Sequence, residues 1–265
     1  MAEAVSCYAF TAAAGARPCE VADPDAVRWV PHHALGDGGL AGVAVTAGPM
    51  VPGRGCAARH RIEAALGFVD ELLRHGCPLL LTVPLAVNDL ADPVVVSRLE
   101  DWSRARGGAH GLVGFEIAAV DEGTSVPWGR IADLGYEMTL ASAELLARWS
   151  PGQRAGRIAV GSALARRAPR DRAAAAEILD LAERAQAVGG GLLFRGDLTV
   201  EVEAWLGEVL RVPALRQPDV IGVARRAGDL AAQVRDLVRR RDAPVGPARG
   251  GGPRVLHDLT WVEVV

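Results

Sequence analysis

Residues 78–99 read PLLLTVPLAVNDLADPVVVSRL, and residues 111–123 read GLVGFEIAAVDEG. The first part, Pro78–Leu85, is continuously apolar, as a strand buried on both faces requires. Asp92-Pro93 then opens a helix over Asp92–Arg106, with the aspartate as cap and the proline suited to the first turn. Leu112–Ile117 reads as the next strand. Two buried strands joined through a helix are a parallel βα unit.

The same alternation extends in both directions. Upstream, Val43–Ala47 reads as a strand and Arg61–Arg74 as a helix, with Ile62, Leu66, Val69, Leu72 and Leu73 on one face. Downstream, the spacing predicts a helix over Val126–Leu134, strands at Glu137–Leu140 and Arg157–Val160, and a long helix over Pro169–Val188. Gly189-Gly190-Gly191 ends that helix. A strand at Leu192–Phe194, a helix over Thr199–Leu210, a strand at Val220–Ala224 and a helix over Asp229–Arg240 complete the series. At least seven units without an internal linker favour one closed α/β barrel over two domains. This domain is expected over residues 1–241. Residues 242–254 (DAPVGPARGGGPR) read as a Pro/Gly-rich linker. Val255–Val265 reads as an additional C-terminal strand. It would pair with an N-terminal strand near Val5–Phe10 or with another subunit, which would make a homodimer.

Composition narrows the chemistry. The chain has 265 residues, half of them hydrophobic, and a net charge of −3. Such a balance gives no basic face for nucleic acid. All 29 basic residues are arginine, so chemistry that needs a lysine amine is excluded. The four cysteines show no CxxC spacing, which argues against zinc and redox motifs. No apolar run is long enough to span a bilayer, and no signal peptide is evident. A cytoplasmic location with free thiols is expected.

Other features have bland readings. His32-His33 and His60 read as solvated loop histidines, because no carboxylate or cysteine is spaced to complete a metal site. Ser142 and Ser162 lie at strand ends without a nucleophile elbow. Arg239-Arg240-Arg241 suits a helix C-terminus. Trp102, Trp128, Trp149 and Trp205 read chiefly as packing residues.

The stretch from Leu81 resembles the middle of the EAL domain, the cyclic di-GMP phosphodiesterase family. Leu90-Ala91-Asp92-Pro93 matches that family's QLxDP helix start, and Phe115-Glu116-Ile117 matches the core of its LEITE strand. Leu134-Gly135, Arg157–Val160, Gly191–Thr199 and Asp219–Gly228 follow in the order of its later motifs. The resemblance covers roughly Gly39 to Gly228. It implies a TIM-like (β/α) barrel of the EAL type, whose first strand runs antiparallel to the rest.

That resemblance also implies a reaction. Two divalent cations held by carboxylates at strand ends would activate water against a phosphodiester. Carried over residue by residue, the ligand set is depleted. Ala44 falls at the glutamate of EAL, and Pro84 at the asparagine of VNLS. Glu116 matches the first glutamate of LEITE, but Ala119 replaces the second. Ala141 and Ser142 fall at the aspartate pair, and Ala159 and Gly161 at the lysine and aspartate of KID. Arg195 falls at the glutamate of AEGVE, Leu198 at its second glutamate, and Gly222 near the glutamine of QGY. The loop Gly48–Ala58 is shorter than the family's substrate-covering segment.

The expected function is therefore a catalytically inactive regulatory or protein-interaction module, needing no metal or cofactor, with an unidentified protein partner. One alternative is a cyclic di-GMP receptor that does not hydrolyse its ligand. Glu116, Arg195, Arg225 and Arg226 are its candidate ligand-binding residues, with an ion pair from Arg195 to Glu116 or Asp197 as the competing structural role. Another is an unrelated barrel enzyme of secondary metabolism.

Overall fold

The computed structural model describes residues 27–35, 37–47, 58–85, 87–107, 111–117, 128–143, 145, 156–219 and 222–242. Its first strand, β1 (Val27–Ala34), turns back through Gly38 (φ 67°) into β2 (Leu40–Ala47), so the two are antiparallel. From β2 to β8 each strand pairs in parallel with the next, whereas β8 and β9 are antiparallel to β1. The order is β2, α1 (Ala58–Arg74), β3 (Leu80–Leu85), α2 (Val87–Ala91), α3 (Pro93–Arg106), β4 (Val113–Ile117), α4 (Trp128–Asp133) and β5 (Glu137–Leu140). Next come β6 (Arg157–Gly161), α5 (Ser162–Arg167), α6 (Arg172–Ala187), β7 (Gly191–Arg195), α7 (Val200–Val209), β8 (Ala214–Gln217), β9 (Gly222–Ala224) and α8 (Ala227–Asp242).

The sheet closes on β1. One edge of β1 pairs with β2; the other pairs with β8 at His33–Ala34 and with β9 at Val27–Trp29. β8 and β9 thus lie in tandem along one edge, as two pieces of the eighth barrel position. Pro31, which has no N–H to donate, falls in the gap between them. The expected closed barrel with an antiparallel first strand is present, with one strand beyond the eight.

Local chemistry explains the element ends. The Asp92 carboxylate accepts a hydrogen bond from the Val94 amide at 2.8 Å, and Pro93 starts α3. Asp171 caps α6 through the amides of Ala173 and Ala174, and Thr199 caps α7 through that of Val202. Gly189 (φ 71°) ends the α6 region, where a left-handed residue is needed.

Alternation along the strands separates two layers. Leu81, Val83, Val113, Phe115, Ile158, Val160, Leu192 and Phe194 face the helices and form the main core. Phe115 stacks on Tyr136 at 5.2 Å, and the Tyr136 hydroxyl donates to the Leu99 carbonyl. Trp102 is buried in this layer and donates to Asp70 at 3.0 Å, while Trp205 packs at its margin.

Several expectations need correction. The strands Val27–Ala34 and Ala214–Gln217 were not anticipated. His32 and His33 lie on β1, not in a solvated loop, and His32 is completely buried; His60 is exposed on α1. The helix expected over Pro169–Val188 begins at Arg172, because Asp171 caps it there. The strands near Val5–Phe10 and at Val255–Val265, Trp149, and nearly all of the linker lie outside the described residues.

Candidate functional site

The inner face of the barrel is assembled by register. Partners across neighbouring strands point to the same side, so His32 with Gly42, Ala44 with Thr82, and Arg195 with Gln217 all face inward. Glu116 pairs laterally with Pro84 and Thr139, and Arg157 pairs with Thr139. The interior therefore carries charged, polar and very small side chains beside apolar Val30, Leu80, Leu193 and Leu215, in contrast to the continuous apolar layer that faces the helices.

Two arginine–glutamate pairs mark its ends. At the C-terminal ends of the strands, where barrel enzymes carry their sites, Arg195 Nη2 lies 2.6 Å from Glu116 Oε2. The pair spans from β7 to β4, with β5 and β6 between them in the sheet. Its side chains are 24% and 13% exposed, so it sits in the mouth rather than on the surface. At the opposite end, Arg157 Nη1 lies 2.8 Å from Glu137 Oε1, joining adjacent strands β5 and β6. Burial pushes the Glu137 carboxyl above the ordinary carboxylate range, and Arg157 pulls it back. Burial likewise lowers the Arg157 guanidinium, with Glu137 opposing.

His32 lies between these pairs. Burial first, then the positive charges of Arg157 and Arg195, hold its pKa at about 3, against an ordinary 6.5. Gln217 stands near enough to favour the charged ring, yet no hydrogen bond of proper geometry reaches either ring nitrogen. The ring is neutral at physiological pH. Loop-like composition around Pro31 hid this histidine from sequence reasoning; the alternation of Trp29, Pro31 and His33 against Val30 and His32 was the available signal.

The four candidate binding residues separate. Glu116 and Arg195 meet, and the ion pair expected as a competing role for Arg195 is made with Glu116. Asp197 is used instead by the Asp219 amide. Arg225 and Arg226 are exposed on the same end of the barrel, after β9, where their amides donate to Asp229 Oδ2 at 3.2 and 3.0 Å. Ser162 accepts from Arg166 at 3.0 Å, as part of the first turn of α5.

Among the described residues no three His, Cys, Asp or Glu side chains converge on one point. Glu116 is already engaged by a guanidinium. Among the described residues, the donor set at this end offers Glu116 already paired with Arg195, whereas a pair of divalent cations needs several carboxylate oxygens.

No family model matches the sequence, and no curated protein does either. Solved structures do match the fold. The EAL domain of Mycobacterium smegmatis DcpA aligns with TM-score 0.62 at 10% identity, covering 82% of this chain and 99% of that one. A standalone EAL protein from Vibrio cholerae, with c-di-GMP bound, aligns with TM-score 0.56 at 14% identity, covering 74% of this chain and 90% of that one. Klebsiella pneumoniae BlrP1, in complex with manganese and c-di-GMP, aligns with TM-score 0.54 at 17% identity, covering 75% and 55%. The chain has the EAL-type barrel fold. Among the described residues, no helix is long and apolar enough to cross a membrane.

Proposed function

We propose that this EAL-type barrel does not hydrolyse cyclic di-GMP and acts as a regulatory, protein-interacting module in a cyclic di-GMP-related setting. The observation that carries this reading is the Glu116–Arg195 pair at 2.6 Å in the barrel mouth. A guanidinium stands where metal-assisted hydrolysis needs negative oxygen ligands, and it claims the carboxylate that the resemblance places there. The neighbouring inward positions, Ala44 on β2 and Pro84 on β3, bring no ligand atom from their side chains.

A second reading has one observation in its favour. Arg195, Arg225 and Arg226 share one end of the barrel, and guanidiniums pair well with phosphodiesters. On that reading the chain is a receptor that holds cyclic di-GMP without cutting it.

Calorimetric titration with cyclic di-GMP, with and without Mg²⁺, followed by chromatography for the linear product, tests both. The first reading expects neither heat nor product. Heat without product selects the receptor reading, with Arg195→Ala weakening binding at least tenfold. Linear product at rates that depend on Mg²⁺ overturns both.

A further inference from the structure

Nine buried side-chain nitrogen or oxygen atoms among the described residues lack a hydrogen-bond partner of proper geometry. Seven of them belong to five inward-facing residues: His32, Thr82, Arg157, Arg195 and Gln217. Two of the seven, Arg157 Nη1 and Arg195 Nη2, still touch carboxylates in the ion pairs. Five remain: both ring nitrogens of His32, Thr82 Oγ1, Gln217 Oε1 and Arg195 Nε. Folded proteins leave few such atoms unsatisfied, and five together would cost as much as a typical domain's whole stability.

Four of the five lie together: His32 and Gln217 are close enough to interact electrostatically, Gln217 is the lateral neighbour of Arg195, and Arg195 acts on the His32 ring. Thr82 Oγ1 faces the same interior from β3, beside Ala44 and Gly114. Inward-facing Gly42, Ala44, Gly114 and Ala159 contribute almost no side-chain volume to the interior, which they share with Val30, Leu80, Leu193 and Leu215. The chemistry of the set selects its occupant. Neutral His32 offers one donor and one acceptor, Thr82 Oγ1 serves as either, Gln217 Oε1 accepts, and Arg195 Nε donates. A cation would meet two guanidiniums. An anion would find its guanidinium partners already bound to Glu116 and Glu137. Water, which both donates and accepts, matches the mixture.

We propose that the barrel interior between the two ion pairs is a built water site. Long-lived internal waters bridge His32, Thr82, Gln217 and Arg195 Nε. At roughly three hydrogen bonds per buried water, five atoms call for about two waters.

Oxygen-17 magnetic relaxation dispersion on the full chain counts waters that exchange slowly with bulk. The expected result is a dispersion whose amplitude falls by about half in His32→Leu. Thr82→Val, which keeps the shape of the side chain, is the companion variant should His32→Leu fail to fold; it too should lower the amplitude. An unchanged amplitude in the folded variants, or no dispersion in the parent chain, overturns the proposal. A high-resolution crystal structure gives an independent reading. Ordered density between His32 and Thr82 supports the site, whereas direct side-chain contacts joining His32, Thr82 and Gln217 overturn it.

Discussion

The two faces of the same strands follow different rules. On β7, Leu192 and Phe194 point to the helices and are fully buried in a continuous apolar layer, whereas Arg195, in the same strand, points into the barrel and meets a carboxylate. On β3, Leu81 and Val83 serve the outer layer, and Thr82 between them faces inward with an unpartnered hydroxyl. The outer face holds the barrel together through apolar burial. The inner face is free to carry polarity, and its character depends on a few side chains rather than on the layer as a whole.

The largest effect should come from the outer layer. Phe194→Ala removes a fully buried ring between sheet and helices and should lower the unfolding free energy by about 4 kcal/mol, read from the denaturant midpoint at constant m. An inner-face substitution with a larger cost would invert the comparison.

Arg157→Met comes next. It leaves the half-buried Glu137 carboxylate without its partner and should cost about 3 kcal/mol, with Glu137→Gln in the same chain restoring much of the loss. If the single substitution proved neutral, the inner pair would be no more than a surface ion pair in effect.

His32 sharpens the comparison through pH. Its folded pKa of about 3 lies below the ordinary 6.5, so between those values the unfolded chain binds a proton that the folded chain does not. Stability therefore rises with pH across this window and is lost as pH falls through it, at a slope approaching about 1.4 kcal/mol per pH unit. Most carboxylates stay ionised above about pH 5, so the histidine dominates from there to 6.5. Denaturation of His32→Leu and the parent chain across that range should show a flatter profile for the variant. Parallel profiles would mean that the ring is not held neutral.

The smallest effect lies outside both faces. Asp92→Ala removes the cap of α3 and should cost about 1 kcal/mol in the same denaturation assay.

The sequence revealed the outer layer far better than the inner one. Continuous apolar runs, such as Leu80–Leu85, and a capped helix, such as Pro93–Arg106, announce themselves because burial on a helix-covered sheet demands them. Glu137–Leu140 (EMTL) was legible from its place in the alternation of strands and helices. β1 was not, because Pro31 and two histidines interrupt its apolar pattern, and it tolerates the proline only at the gap between β8 and β9. β8 carries Arg216 and Gln217 in four residues and so lacks a strand's apolar signal. Of the candidate site, Glu116 and Arg195 were found through their positions in motifs, but the contact between them follows from barrel closure. Arg225 and Arg226 drew attention as charges, and the structure shows their amides serving the start of α8.

Closure at β1 also sets a schedule for synthesis. β1 and β2 form a hairpin from residues close in sequence, but the other edge of β1 waits for β8 and β9, about 180 residues later. At about 5–20 residues per second, a ribosome needs roughly 10–40 s to deliver them. Through that interval the hairpin presents a bare strand edge, the kind of surface on which nascent chains pair with one another. Pro31 stands in the middle of that edge and cannot donate to an intruding strand, so the residue that interrupts the finished barrel also guards the unfinished one.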